Sequence, residues 1–142
     1  MSENSVTLVG RLTADPEVKF SNAGSANARF NLAVEKRWMN RQTQEWEKRT
    51  SFITVIVWDK MAENVAHSLK KGYRAIVSGT LEQRSWDTPS GEKRQIVELV
   101  ADAIGPDLRF VTCELHSTEH AAAPATTGFT GFNPAFDNED PF

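Results

Sequence analysis

Residues 51–59 (SFITVIVWD) alternate with a period of two, so that Phe52, Thr54, Ile56 and Trp58 fall on one side and Ile53, Val55 and Val57 on the other. β-Branched and aromatic residues throughout the run predict a strand with both faces occupied. Before it, residues 4–12 (NSVTLVGRL) alternate well enough for a first strand, inside which Gly10 predicts a bulge or a sharp bend. Pro16 permits a short edge segment at residues 17–20, and Ser21-Asn22-Ala23-Gly24 is a turn signal. Residues 28–38 (ARFNLAVEKRW) predict a second strand with Phe30, Leu32 and Val34 on one face. Residues 39–50 (MNRQTQEWEKRT) are polar, lack apolar periodicity and read as a protruding loop or hairpin tip.

The period then changes. In residues 60–71 (KMAENVAHSLKK), Met61, Val65 and Leu69 recur at i+4 with Ala62 and Ala66 beside them. That spacing predicts a helix, with Asp59 as N-cap, Lys70 and Lys71 in the last turn facing its dipole, and Gly72 closing it. Residues 73–86 predict a long strand bent at Gly79, residues 87–92 (DTPSGE) a turn, and residues 95–103 a fifth strand. Five strands with one helix between the third and fourth is the order of an all-β OB-fold barrel. Residues 105–115 (GPDLRFVTCEL) are too apolar for a free linker, and Leu108, Phe110, Val111 and Leu115 need cover from the barrel or a neighbouring subunit. Residues 116–135 are rich in Ala, Thr, Gly and Pro and predict a flexible linker, followed by an acidic tip at residues 136–142. The expected organisation is a barrel domain at 1–115, a linker at 116–135 and a disordered acidic tail ending in the tip at 136–142.

Composition changes this picture only when it is divided. The 142 residues are 39% apolar and 25% charged, ordinary values for one soluble domain with a remainder. No apolar run reaches the length of a membrane span, and MSENSVTLVG lacks a basic-then-apolar leader, so a cytoplasmic protein without membrane contact is expected. A single cysteine, Cys113, excludes an intramolecular disulfide and fits a reducing compartment. The net charge of −3 hides two unlike parts: residues 1–112 carry 16 Lys and Arg against 14 acids, whereas residues 113–142 carry five acids and no Lys or Arg. A mildly basic domain precedes an acidic tail.

Trp38 follows Lys36-Arg37, Phe52 follows Lys48-Arg49, and Trp86 follows Arg84, with Trp58 closing the central strand. A lone aromatic on a strand more often belongs to the core than to a ligand platform. Four on one predicted sheet, interleaved with cations, are what a single-stranded nucleic acid requires: rings to stack bases and charges to follow phosphates. On that reading Trp38, Phe52, Trp58 and Trp86 stack, while Lys36, Arg37, Arg41, Lys48, Arg49, Arg84, Lys93 and Arg94 contact phosphate. Trp46 either stacks or covers an edge. His116-Ser117-Thr118-Glu119-His120 matches the inverted zinc-protease pattern. It opens a linker instead of lying on an apolar helix, so it is a chance match, and neither an enzyme nor a cofactor is expected.

Four stretches carry a family likeness, in order: VTLVGRLTADPEVKF, FITVIVWDKMAENVAHSLKKG, VSGTLEQRSW and the final EDPF. Together they resemble the bacterial single-stranded DNA-binding proteins (the SSB family), which exemplify base stacking on an OB barrel. The resemblance covers residues 6–115 and resumes at the last six. It implies stacking by Trp38, Phe52, Trp58 and Trp86, and a DNA surface on the third and fourth strands and the loop after strand two. It further implies a homotetramer wrapped by single-stranded DNA, and association with the nucleoid. Replication, recombination and repair proteins would dock on a tip made here of Asp137, Asn138, Glu139, Asp140, Pro141 and Phe142. Two departures stand out. Asn138 interrupts the acids and Asp140 precedes Pro141, where the family usually has an unbroken acidic run and then an apolar residue; the linker is also short.

Overall fold

The computed structural model describes residues 3–118. Its strands are β1 (Val6–Leu12), β2 (Glu17–Phe20), β3 (Ala26–Met39), β4 (Trp46–Trp58), β5 (Arg74–Asp87) and β6 (Lys93–Pro106), with the helix α1 (Asp59–Ser68) between β4 and β5. They pair in the order β1-β5-β6-β4-β3, and β1 returns to β3 through Arg11↔Ala33 and Leu12↔Leu32. The sheet therefore closes into the expected five-stranded OB barrel. The short β2 lies on the first residues of β3, from Phe20↔Ala26 to Glu17↔Arg29, outside the closed ring. The compact unit runs to Val111.

Alternation explains the core. Phe30 and Leu32 on β3, Val55 and Val57 on β4, Val77 on β5 and Leu99 on β6 all point inward and are buried, with Leu12 of β1 among them. Ala62 and Val65 are the buried residues of α1, and Leu69 just beyond it is buried too. The helix lies chiefly against β3. Among the described residues no helix is long and apolar enough to cross a membrane.

Three local expectations are corrected. Residues 39–50 are mostly not a loop: β3 and β4 stay paired out to Met39↔Trp46, leaving only residues 40–45 between them. Both faces of this two-stranded arm meet water, so the apolar alternation that announces a strand is missing. Asp59 is not an N-cap. It is the first helical residue, at φ 58°, Trp58 occupies the cap position, and no side chain caps the end. Lys70 and Lys71 lie past the helix, which ends at Ser68; the Lys71 amide donates to Asp15 Oδ1 at 2.8 Å. As for residues 105–115, Leu108, Phe110, Val111 and Leu115 are exposed among the described residues.

Gly79 marks an irregularity as expected, whereas Gly10 keeps regular register with β5, and both glycines have a steric reason. A Cβ on Gly79 would collide with the Val100 carbonyl, and the β5–β6 register shifts between Ser78 and Gly79. A Cβ on Gly10 would meet the Ala33 carbonyl beside the β1–β3 closure. Gly105, by contrast, has nothing within 4 Å of such a Cβ. Gly79→Ala is expected to destabilise by about 1–3 kcal/mol, the usual cost of overpacking. Gly105→Ala should stay within about 0.5 kcal/mol. Urea unfolding of the two variants beside the parent measures the difference.

Candidate nucleic-acid interface

Strand register decides which side chains share a face. On the β3–β4 pair, Asn27↔Trp58, Asn31↔Thr54, Ala33↔Phe52 and Arg37↔Lys48 lie on one side without interruption. The parallel pair Thr54↔Glu98 carries that side onto β6, and Glu82↔Glu98 and Trp86↔Arg94 carry it onto β5. Phe52, Trp58 and Trp86 therefore occupy one continuous outer face, at 66%, 50% and 42% exposure. Phe52 and Trp58 stand about 20 Å apart along β4 at the usual strand rise. Ile56 between them is buried.

The predicted residues divide. Arg37, Lys48, Arg84 and Arg94 share the outer face with those three rings. Trp38 does not: it is half-buried and pairs with Glu47 on the reverse of the arm, together with Lys36 and Arg49. Lys93, opposite Asp87, is likewise on the reverse of the β5–β6 pair. Arg41 sits in the turn at the tip of the β3–β4 arm. Trp46 opens β4 on the Phe52 side, 70% exposed. Lys48 meets Glu35 at 3.3 Å and Arg94 meets Glu92 at 3.5 Å; both pairs are exposed and worth little, so either cation is available to an anion. The tip residues Asp137, Asn138, Glu139, Asp140, Pro141 and Phe142, and His120 and Glu119 of the zinc-protease pattern, lie outside the described residues.

At the centre of the face lies a group that the aromatic and basic signals did not single out. The Glu98 carboxylate is only 6% exposed and is held by Arg29 Nη1 at 2.9 Å and by Arg84 Nη2 at 3.2 Å. Arg84 also lays its guanidinium over the Trp86 ring, 4.9 Å from the centroid, a cation–π distance. Next to this cluster Thr54 Oγ1 donates to Asn31 Oδ1 at 2.9 Å. One sign was available in the sequence: Glu98 interrupts the apolar run of residues 96–101, and a charge inside such a run calls for partners. The hydrogen bond from Arg84, with Arg29 adding to it, holds Glu98 below the ordinary carboxylate range; burial opposes this and loses.

A cleft of about 500 Å³ opens beside the root of the β3–β4 arm, with Arg11, Arg37, Arg74 and Arg109 on its walls. Two of those four are committed. Buried Asp107 accepts from Arg74 Nε at 3.0 Å and from Arg109 Nη2 at 2.8 Å. The Arg109 backbone amide donates to it as well, at 3.1 Å. These bonds, the Arg109 side chain first, hold Asp107 well below the ordinary carboxylate range.

A closed OB barrel whose outer face carries exposed rings among cations defines the class: an oligonucleotide-binding type of β-barrel. Residues 3–107 match the single-strand binding protein family, and the chain belongs to that family. It is 47% identical over 118 residues to the "Single-stranded DNA-binding protein" of Paenarthrobacter aurescens, covering 82% of this chain and 69% of that one. It is 46% identical to the protein of that description from Corynebacterium glutamicum, covering 83% of this chain and 53% of the relative. The Mycobacterium tuberculosis protein is 44% identical, with 84% and 73% covered. Among solved structures, "Plasmodium falciparum SSB complex with ssDNA" superposes with a TM-score of 0.68 at 29% identity, covering 75% of this chain and 96% of that one.

The two lowered carboxylates make stability depend on pH in one direction. A carboxylate whose folded value lies below its unfolded value contributes stability above the ordinary range, and loses it as the pH falls through the folded value. Thermal stability is expected to be level above about pH 5 and to fall below about pH 4. Asp107→Asn should lower Tm at neutral pH and flatten the acid limb. Scanning calorimetry across that range reads both.

Proposed function

We propose that this protein is a non-catalytic binder of single-stranded DNA, with little sequence preference, that protects the strand during replication, recombination and repair. The observation that carries the reading is the outer face itself. Phe52, Trp58 and Trp86 are exposed on one continuous sheet surface among Arg37, Lys48 and Arg94. Rings accept any base, and rim cations accept any phosphate, so neither demands a sequence. Membership of the single-strand binding protein family supports the same reading. Trp38, Lys36 and Arg49 join the surface if the strand passes round the arm edge, with Arg41 at the turn and Lys93 on the reverse of the second arm. The protein would act in the cytoplasm, on the nucleoid.

Two further parts complete the reading. Leu108, Phe110 and Val111 are exposed apolar residues of one small domain, and a second copy is the cover proposed for them, within a homotetramer. The tip from Asp137 to Phe142 recruits replication, recombination and repair proteins. Its acids meet Arg or Lys on the partner while the Phe142 ring enters an apolar pocket.

Trp86→Ala and Phe52→Ala are each expected to weaken dT-oligomer binding by about 1–3 kcal/mol without unfolding the domain. Tryptophan fluorescence should fall as the strand is added, and an RNA oligomer of equal length should compete poorly. Log affinity should fall with log salt at about −0.7 per neutralised phosphate, and Arg41→Gln with Lys48→Gln should flatten that slope. Two variants that bind like the parent would remove the stacking assignment. Deleting Pro141 and Phe142 should abolish capture of a repair helicase while leaving dT affinity unchanged. Light scattering that reports a monomer at micromolar concentration would remove the tetramer.

A further inference from the structure

Glu98 is a carboxylate at the middle of a face that otherwise offers rings and cations to a polyanion. Its burial and its two ion pairs bear on what that face can hold. Arg84 gives its Nε–Nη2 edge to the two Glu98 oxygens, at 3.4 and 3.2 Å, while the flat of its guanidinium lies over Trp86. Arg29 closes on the same carboxylate from β3 at 2.9 Å. Glu82 stands directly opposite Glu98 in the β5–β6 register, on the same face. Two guanidinium groups and two carboxylates leave the centre without net charge.

Exchange is unfavourable. A phosphate that took Arg84 by its Nε–Nη2 edge would strip a partner from a carboxylate that water barely reaches, and an unpaired buried charge is strongly destabilising. The cations whose only ion pair is exposed, or that form none among the described residues, include Lys36, Arg37, Arg41, Lys48 and Arg49 on one arm and Lys93 and Arg94 on the other. We propose that Glu98 is the specificity-determining residue of the face. It withdraws Arg29 and Arg84 from phosphate binding, fixes Arg84 as a flat extension of the Trp86 platform, and so turns the centre of the sheet toward bases and leaves phosphates to the rims. This rests on the single-stranded DNA reading, and it removes Arg84 from the phosphate contacts that its sequence position suggested.

The test uses the full chain, a dT oligomer and an abasic deoxyribose-phosphate oligomer of the same length, each titrated over a range of salt. The parent is expected to prefer dT strongly. Glu98→Gln, which keeps the shape and removes the charge, should steepen the salt slope by about 0.7 to 1.4, one or two added phosphates, and narrow the preference for dT over the abasic strand. Arg84→Gln should weaken dT binding and leave the slope as in the parent; it decides the matter if Glu98→Gln fails to fold. A slope that falls by about 0.7 in Arg84→Gln would mean that Arg84 holds a phosphate and would overturn the inference. So would a folded Glu98→Gln with the parent's slope and preference. A parent that binds no dT overturns the DNA reading itself, an outcome separable from a parent that binds dT beside variants that contradict Glu98.

Discussion

The barrel closes on very little. β1 pairs with β3 at Arg11↔Ala33 and Leu12↔Leu32, the Thr13 amide donating to the Asn31 carbonyl at 3.0 Å just beyond, and this short seam turns an open sheet into a ring. Closure requires backbones to approach where the strands bend, which is why Gly10 stands beside the seam and Gly79 at the β5–β6 bulge. It also limits how far each strand has two neighbours. β3 and β4 remain paired to Met39↔Trp46, well past the last residue that β1 touches. β5 and β6 remain paired to Asp87↔Lys93, although β1 leaves β5 at Gly79. The overrun becomes two arms, and two-stranded ribbons twist more than broad sheets. The arms carry the turn cation Arg41 and the rings of Trp38, Trp46 and Trp86.

Why the rings stay exposed follows from the layers. The inner face of the ring is filled by Phe30, Leu32, Val55, Val57, Val77 and Leu99, with α1 against β3. Among the described residues no second layer covers the outer face, so Phe52 and Trp58 keep more than half or half of their surface while Ile56 between them is covered. Large rings left in water on one face are costly for a monomer unless a ligand or partner takes them. Their neighbours are polar and mutually bonded, as in Asn31–Thr54 and Arg29–Glu98–Arg84, so the surface is ordered before anything binds. Preorganisation of this kind reduces what binding must spend on immobilising side chains.

Much of this was legible. Alternation located all five long strands, and the i+4 run of Met61, Val65 and Leu69 located the helix, because each element buries one face against the same core. What alternation could not show lay where no core exists. The β3–β4 arm is wet on both sides, so residues 46–50 have no apolar rhythm, and a paired strand read as a loop. The helix end was overrun by three residues because Leu69 continues the apolar spacing, although its backbone is already extended. The site was legible as a list of rings and cations but not as a geometry. Only the uninterrupted register puts Trp38 on the reverse of the arm from Phe52. Only the parallel pair Thr54↔Glu98 brings Arg29 and Arg84, 55 positions apart in the chain, to one carboxylate.

That carboxylate is not part of the barrel's apolar core. A whole buried ion cluster is often no more stabilising than well-packed apolar residues of the same size, so the fold alone does not call for this one. The carboxylate's effect is on the two arginines. Freed of Glu98, Arg29 and Arg84 would be strong phosphate ligands at the centre of the face, because a guanidinium edge matches two phosphate oxygens at once. A strand gripped by its backbone at the centre would turn its bases outward to water. On the proposed reading, a strand gripped at the rims, with an uncharged aromatic floor between, would turn its bases inward against Trp86, Trp58 and Phe52 and gain the stacking that backbone contacts cannot supply. On that reading the acid on this face is thus compatible with a polyanionic ligand, because it would determine which side of that ligand meets the protein.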